Sequence, residues 1–178
     1  MKKILLLTIF FLNQAYAQSV KGEMDCTVTG GVVIASEEGK FRSYAGFTGG
    51  VKANDKLTLI YEVTSNSIFI TLKRNISENN TVISAYLSPN KANITSEKKS
   101  NGIILSDSSF NHSISFLSDY IRISEFREFF ISRYYKNDWH GLFSSVSQYE
   151  STSQTFAVNC RHINDKMDAA FKTFTSFK

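Results

Sequence analysis

The chain reads as an all-β protein, a single-domain antiparallel barrel or sandwich of about seven to nine strands closed by a C-terminal amphipathic helix. Two observations predict this. Between residues 24 and 160 apolar side chains recur at every second position and are interrupted by turn formers at intervals typical of antiparallel sheets. After Asn164 the period changes to three or four, which belongs to a helix. A third observation, two cysteines at opposite ends of the strand region and both in step with apolar neighbours, predicts how the ends meet.

The chain opens with Met1-Lys2-Lys3, an apolar run from Ile4 to Leu12, and Ala15-Tyr16-Ala17 ahead of Gln18. A basic start, a short greasy centre and a small-x-small site form a secretory signal peptide over residues 1–17, compact enough to read as bacterial. The expected location is the periplasm or the medium. Removing 17 of the 178 residues leaves 161, enough for one domain, 18–178, that buries roughly 70% of its unfolded surface. No later segment approaches the ~20 continuous apolar residues of a membrane helix, so no membrane span is expected. Cys26 lies in the polar context Glu23-Met24-Asp25, unlike a lipid-attachment site.

The first strand is marked by Met24, Cys26 and Val28 alternating with Asp25, Thr27 and Thr29, with Gly30-Gly31 breaking or bulging it before Val32-Val33-Ile34. Glycines then cluster in Gly39–Asp55, which reads as a loop. Leu57, Leu59, Tyr61 and Val63 form the clearest alternating face, and Thr64-Ser65-Asn66-Ser67 separates it from Ile68, Ile70 and Leu72, as in a hairpin. Ser77–Asn80 and Asn90–Asn101 are polar and read as loops around a strand at Val82–Leu87.

Further strands are expected at Ile103-Ile104-Leu105 and at Phe110, His112, Ile114 and Phe116. Residues 124–131 suit either a strand or a helix, since Ser124 could cap a turn carrying Phe126, Phe129 and Phe130; we read a strand. Lys136-Asn137-Asp138 marks a turn between the aromatic run Phe129–Tyr135 and a strand from Trp139 to about Val146. Phe156, Val158 and Cys160 make the last alternating face. The helix spans about 164–176, capped by Asn164, with Met167, Ala170, Phe171, Phe174 and Phe177 on its apolar stripe.

Cys26 and Cys160 are expected to form a disulfide in an oxidising compartment, placing the first and last strands side by side or on facing sheets. The alternative is a nucleophilic Cys160 near His162, which would need protection from oxidation outside the cytosol.

Losing Lys2 and Lys3 with the leader takes 20 basic and 16 acidic side chains to 18 against 16. The densest basic run, Lys98-Lys99, is too short to track phosphates, so nucleic acid is not an expected partner. No Gly-x-Ser-x-Gly elbow occurs, and Ala45–Gly50 lacks the lysine of a phosphate loop. Glu37-Glu38 and Glu125/Glu128 sit in polar surroundings and read as solvated. His112, His140 and His162 fall on separate elements without metal-ligand spacing. Four N-x-[ST] sequons, at Asn75, Asn79, Asn93 and Asn111, read as chance matches behind a bacterial leader.

No catalytic residue, metal ligand or cofactor is assigned. The binding candidates are Arg133, Tyr135, Lys136, Trp139 and His140, because aromatics beside arginine and lysine give large contact area at low entropy cost. The function expected is an exported non-enzymatic binding protein holding a small apolar ligand inside the barrel or a protein partner outside it. The competing expectations are a hydrolase or metalloenzyme built from dispersed histidines and carboxylates, and a small outer-membrane barrel.

Overall fold

The structure is a computed structural model that describes residues 19–38, 40–46, 51–75, 81–147 and 152–174. The expected leader 1–17, the expected loop Ser77–Asn80 and Phe177 lie outside them. Twelve strands and one helix follow in chain order: β1 Val20–Glu37, β2 Lys40–Ala45, β3 Lys56–Thr64, β4 Ser67–Arg74, β5 Thr81–Leu87, β6 Ile94–Lys99, β7 Gly102–Asp107, β8 His112–Leu117, β9 Tyr120–Ser124, β10 Arg127–Tyr135, β11 Asp138–Ser147, β12 Thr152–Asn164 and α1 Met167–Phe174.

All pairings are antiparallel. The strands run in the order β5-β4-β3-β1-β12-β11-β10-β9-β8-β7-β6, with β2 paired separately to β1. β5 packs towards β7 and β8, and the Arg127 guanidinium donates to the Val82 carbonyl at 2.6 Å, so the sheet curls into a nearly closed barrel. α1 covers one end against β1, β3 and β7.

Alternation explains most of this. In β3, Leu57, Leu59, Tyr61 and Val63 are buried while Thr58, Ile60 and Glu62 are partly exposed, as a half-buried strand requires. β1 keeps Met24, Cys26 and Val28 inside until its register slips by one residue at Gly30. That bulge inverts the strand: Val33 now points inward, and Val32 and Ile34 are 45% and 42% exposed. The same edge of β1 therefore serves two partners, β3 along Val20–Thr27 and β2 along Val32–Glu37.

Cys26 and Cys160 form a disulfide between directly paired residues of β1 and β12, so the two strands are side by side. The bridge closes a separation of 134 residues.

The strand count corrects the expected seven to nine. β2 is exposed at all six positions and β6 buries only Ile94, so neither carries a period-two apolar signal. Both arise from stretches read as loops. A tight turn at Ser118-Asp119 adds β9, and Phe110 lies outside β8, 73% exposed. Residues 124–131 are strand: β9 ends at Ser124, Glu125-Phe126 turn, and β10 begins. Phe126 sits in that turn, 87% exposed, while Phe129 is buried, so the phenylalanines are not a helical stripe.

The helix begins at Met167 rather than at the expected 164, and its expected end at 176 lies outside the described residues. Asn164 ends β12, and Asp165 caps instead, its carboxylate accepting the Met167 N–H at 3.0 Å. Met167, Ala170 and Phe174 join the core formed by the inward faces of the strands. Phe116, facing Tyr61 at 5.1 Å, receives Phe171 and Phe174 at 5.8 and 5.6 Å. A Cβ on Gly22 would lie 2.0 Å from the Tyr61 ring, so glycine is what lets Tyr61 lie across β1 and accept the Lys166 N–H at 3.1 Å.

Candidate functional site

Strand pairing carries the outward residues of β1, β12 and β11 into two cross-strand rows. Asp25 pairs with Arg161, which pairs with Asp138; one step along, Thr27 pairs with Asn159, which pairs with His140. The first row is carboxylate, guanidinium, carboxylate, and the second hydroxyl, amide, imidazole. Together with Thr29 and Lys56 they line an open groove of about 690 Å³ on the outer face.

Arg161 donates to the Asp138 carboxylate at 2.6 Å, and the Lys56 ammonium to the Thr27 hydroxyl at 2.8 Å. The remaining amide, imidazole and carboxylate groups give the groove both donors and acceptors on a rigid sheet, a setting for a polar, hydrogen-bonding ligand. Further along the same face the chemistry changes. Leu142 pairs with Ala157, and Val146 with Ser153 beside Ile34, so the face becomes apolar and hydroxyl-bearing beyond the groove.

The β10–β11 turn borders the groove. Lys136 takes a left-handed φ of 43°, and the Asn137 side chain fastens the turn to β12: its carbonyl accepts the His162 N–H at 3.2 Å and its amide donates to the His162 carbonyl at 3.4 Å. His140 lies in the groove with the Tyr134 ring edge-on at 5.2 Å. The Lys136 ammonium stands over Tyr135 at 5.1 Å, and the Arg133 guanidinium over Trp139 at 5.0 Å. Trp139 itself is fully buried beneath Arg133.

The three histidines stay apart. His112 Nε2 meets the Glu125 carboxylate at the β9–β10 turn, His140 faces out, and His162 is enclosed with its side chain 2% exposed. Among the described residues no three His, Cys, Asp or Glu side chains gather in a metal-holding cluster. The His162 ring lies between Tyr61 and Trp139, at 6.3 and 5.6 Å, and neither ring nitrogen has a hydrogen-bond partner. Burial lowers its pKa, opposed by the Asp165 carboxylate at 3.9 Å and reinforced by Arg133. Burial likewise pushes the Tyr61 hydroxyl up to about 12, with the Lys166 N–H pulling the other way.

Of the binding candidates read from the sequence, Trp139 and His140 line the groove and Arg133, Tyr135 and Lys136 do not; Cys160 and His162, singled out there on other grounds, also line it. Asp25, Thr27, Asn159 and Arg161 were within reach, because pairing Cys26 with Cys160 puts their neighbours opposite one another. Comparison with protein-family models, with curated proteins and with solved structures finds no match for this chain.

Proposed function

We propose that this chain is an exported, non-enzymatic binding protein that takes a polar partner on the outside of its barrel, over the Asp25–Arg161–Asp138 and Thr27–Asn159–His140 rows. The observation that carries this reading is the contrast between the two faces of one sheet. The outer face holds a groove of about 690 Å³ in which the two polar rows lie beside the apolar residues Trp139 and Ile163. Inward side chains and the helix instead form one continuous apolar cluster, which favours a filled scaffold over a carrier of small apolar ligands.

Export is supported by the leader-like residues 1–17 and by the disulfide, which is compatible with an oxidising compartment. Among the described residues no helix is long and apolar enough to cross a membrane. The placement of Lys21, Asp25, Lys56, Asp138 and Arg161 on the outer surface, with apolar residues inside, runs opposite to the apolar-out pattern of a membrane barrel.

The test is a thermal-shift screen of the processed protein against two sets of compounds, fatty acids and sterols in one, oligosaccharides and polar peptides in the other. A polar compound at ~100 times its Kd should stabilise the fold by about 2.7 kcal/mol. That gain should vanish in His140→Ala and Arg161→Ala. A gain from the apolar set that survives both substitutions would return the ligand to the interior and sink this reading.

A further inference from the structure

β2 is attached to the sheet through the second half of β1, whose other flank pairs with β12. All six residues of β2 are exposed, Phe41 at 81%, and among the described residues its outer edge pairs with no other strand. From these features we infer that β2 is a self-pairing edge through which two copies of this chain form a symmetric dimer, centred on Ser43.

The hydrogen-bonding phase decides the centre. Glu37 pairs with Lys40, and the Gly46 N–H donates to the Gly31 carbonyl at 3.0 Å. The even-numbered residues of β2 therefore direct their backbone groups at β1, and Phe41, Ser43 and Ala45 direct theirs at the open edge. A two-fold axis perpendicular to the sheet, which keeps each face continuous with its copy, requires paired positions of the same parity. Centred on Ser43, it sets Phe41 against Ala45 of the second copy and Ser43 against Ser43. All three outward-facing residues are then satisfied, by about six backbone hydrogen bonds.

Charge selects the same register. β2 carries Lys40 and Arg42 and no acidic residue. Centring on Arg42 would oppose two guanidinium groups, whereas centring on Ser43 sets Arg42 against Tyr44 and Lys40 against Gly46. The pairing also covers the most exposed apolar side chain of the strand. Phe41 of one copy would extend the row formed by Val32 and Ala45 of the other, where Val32 is 45% exposed.

β6, another edge, is built differently. It exposes Glu97, Lys98 and Lys99, with Lys99 paired to Glu97, the usual protection of an unpaired strand. β2 carries only cations, Lys40 and Arg42, on the face opposite Phe41, Ser43 and Ala45.

Analytical ultracentrifugation of the processed protein from ~1 µM to ~1 mM should show a reversible monomer–dimer equilibrium. Ser43→Pro deletes the central outward N–H and should shift that equilibrium at least ~10-fold towards monomer. A second variant keeps the inference falsifiable if proline disturbs the hairpin. Hydrogen-bonded partners lie about 5.5 Å apart at Cα, within disulfide reach, so Ser43→Cys should cross-link two copies under mild oxidation. Ser36→Cys, on the same face of the hairpin but away from the axis, should cross-link at least ~10-fold more slowly. The Cys26–Cys160 peptide is followed in both by mass spectrometry. A monomer at every concentration, or equal cross-linking of the two cysteine variants, overturns the dimer; the former leaves the edge to a foreign strand.

Discussion

β1, β12 and β11 present the same backbone to two different environments. Inside, Cys26, Cys160, Trp139 and His162 are enclosed; outside, one residue away in each strand, lie Asp25, Asn159, Arg161 and His140. The inner set is fixed by packing and a covalent bond, so each member is constrained by its neighbours. The outer set rests on exposed polar contacts, which contribute little to stability and are free to serve recognition. A sheet two residues in period thus carries a packed face and a polar face on one strand.

The sharpest way to break the contrast is to cut the disulfide. Joint replacement of Cys26 and Cys160 by alanine should cost up to about 5 kcal/mol in the chain-entropy account, read as a lower denaturation midpoint in urea. Adjacent residues on opposite faces come next. Trp139→Ala should lose about 3–5 kcal/mol through lost burial and the cavity left behind. His140→Ala should stay within about 0.5 kcal/mol in the same experiment, while abolishing any ligand-induced shift. If the two substitutions cost the same, the separation of faces fails.

Gly22→Ala forces a methyl into the Tyr61 ring and should cost about 1–3 kcal/mol. Because Tyr61 accepts the Lys166 N–H, that amide should also exchange faster with solvent, a readout that ordinary core overpacking elsewhere would not move.

His162 gives the inner face a pH dependence. Its folded pKa lies below the usual value near 6.5, because burial disfavours the imidazolium. Stability should be flat above about pH 6.5 and fall as pH drops below it, since the unfolded chain binds the proton first; the slope ends once the folded pKa is passed. His162→Phe should flatten that limb of a urea-midpoint profile between pH 4 and 7, a window of roughly this width being set by the histidine reference value. The smallest effect belongs to the outside. Arg161 is 75% exposed at its side chain, and Arg161→Ala should change stability by less than about 1 kcal/mol, visible only as a minor shift of the midpoint.

Much of the inner face was readable from the amino-acid order alone. The alternation of Leu57 to Val63, the cysteine pair and the apolar stripe of the helix each announce burial, and burial is what periodicity records. β2 and β6 went unread for the same reason: strands exposed on both sides have no apolar beat. The groove lay between these extremes. Its polar residues are scattered in the chain from Asp25 to His162, and the β1–β12 and β11–β12 registers assemble them. Arg133 to His140, by contrast, stood out locally because a single hairpin carries them, although the burial of Trp139 needed the pairing with Cys160.

The seating of β1 between β3 and β12 also orders events in time. β3 follows within a few dozen residues, whereas the other flank must wait until Thr152–Asn164 has been made. Contacts of such long range are slow to form and leave an apolar seam uncovered meanwhile. A nascent copy halted before residue 152 would leave one flank of β1 bare, and only the arrival of its final strand would close it.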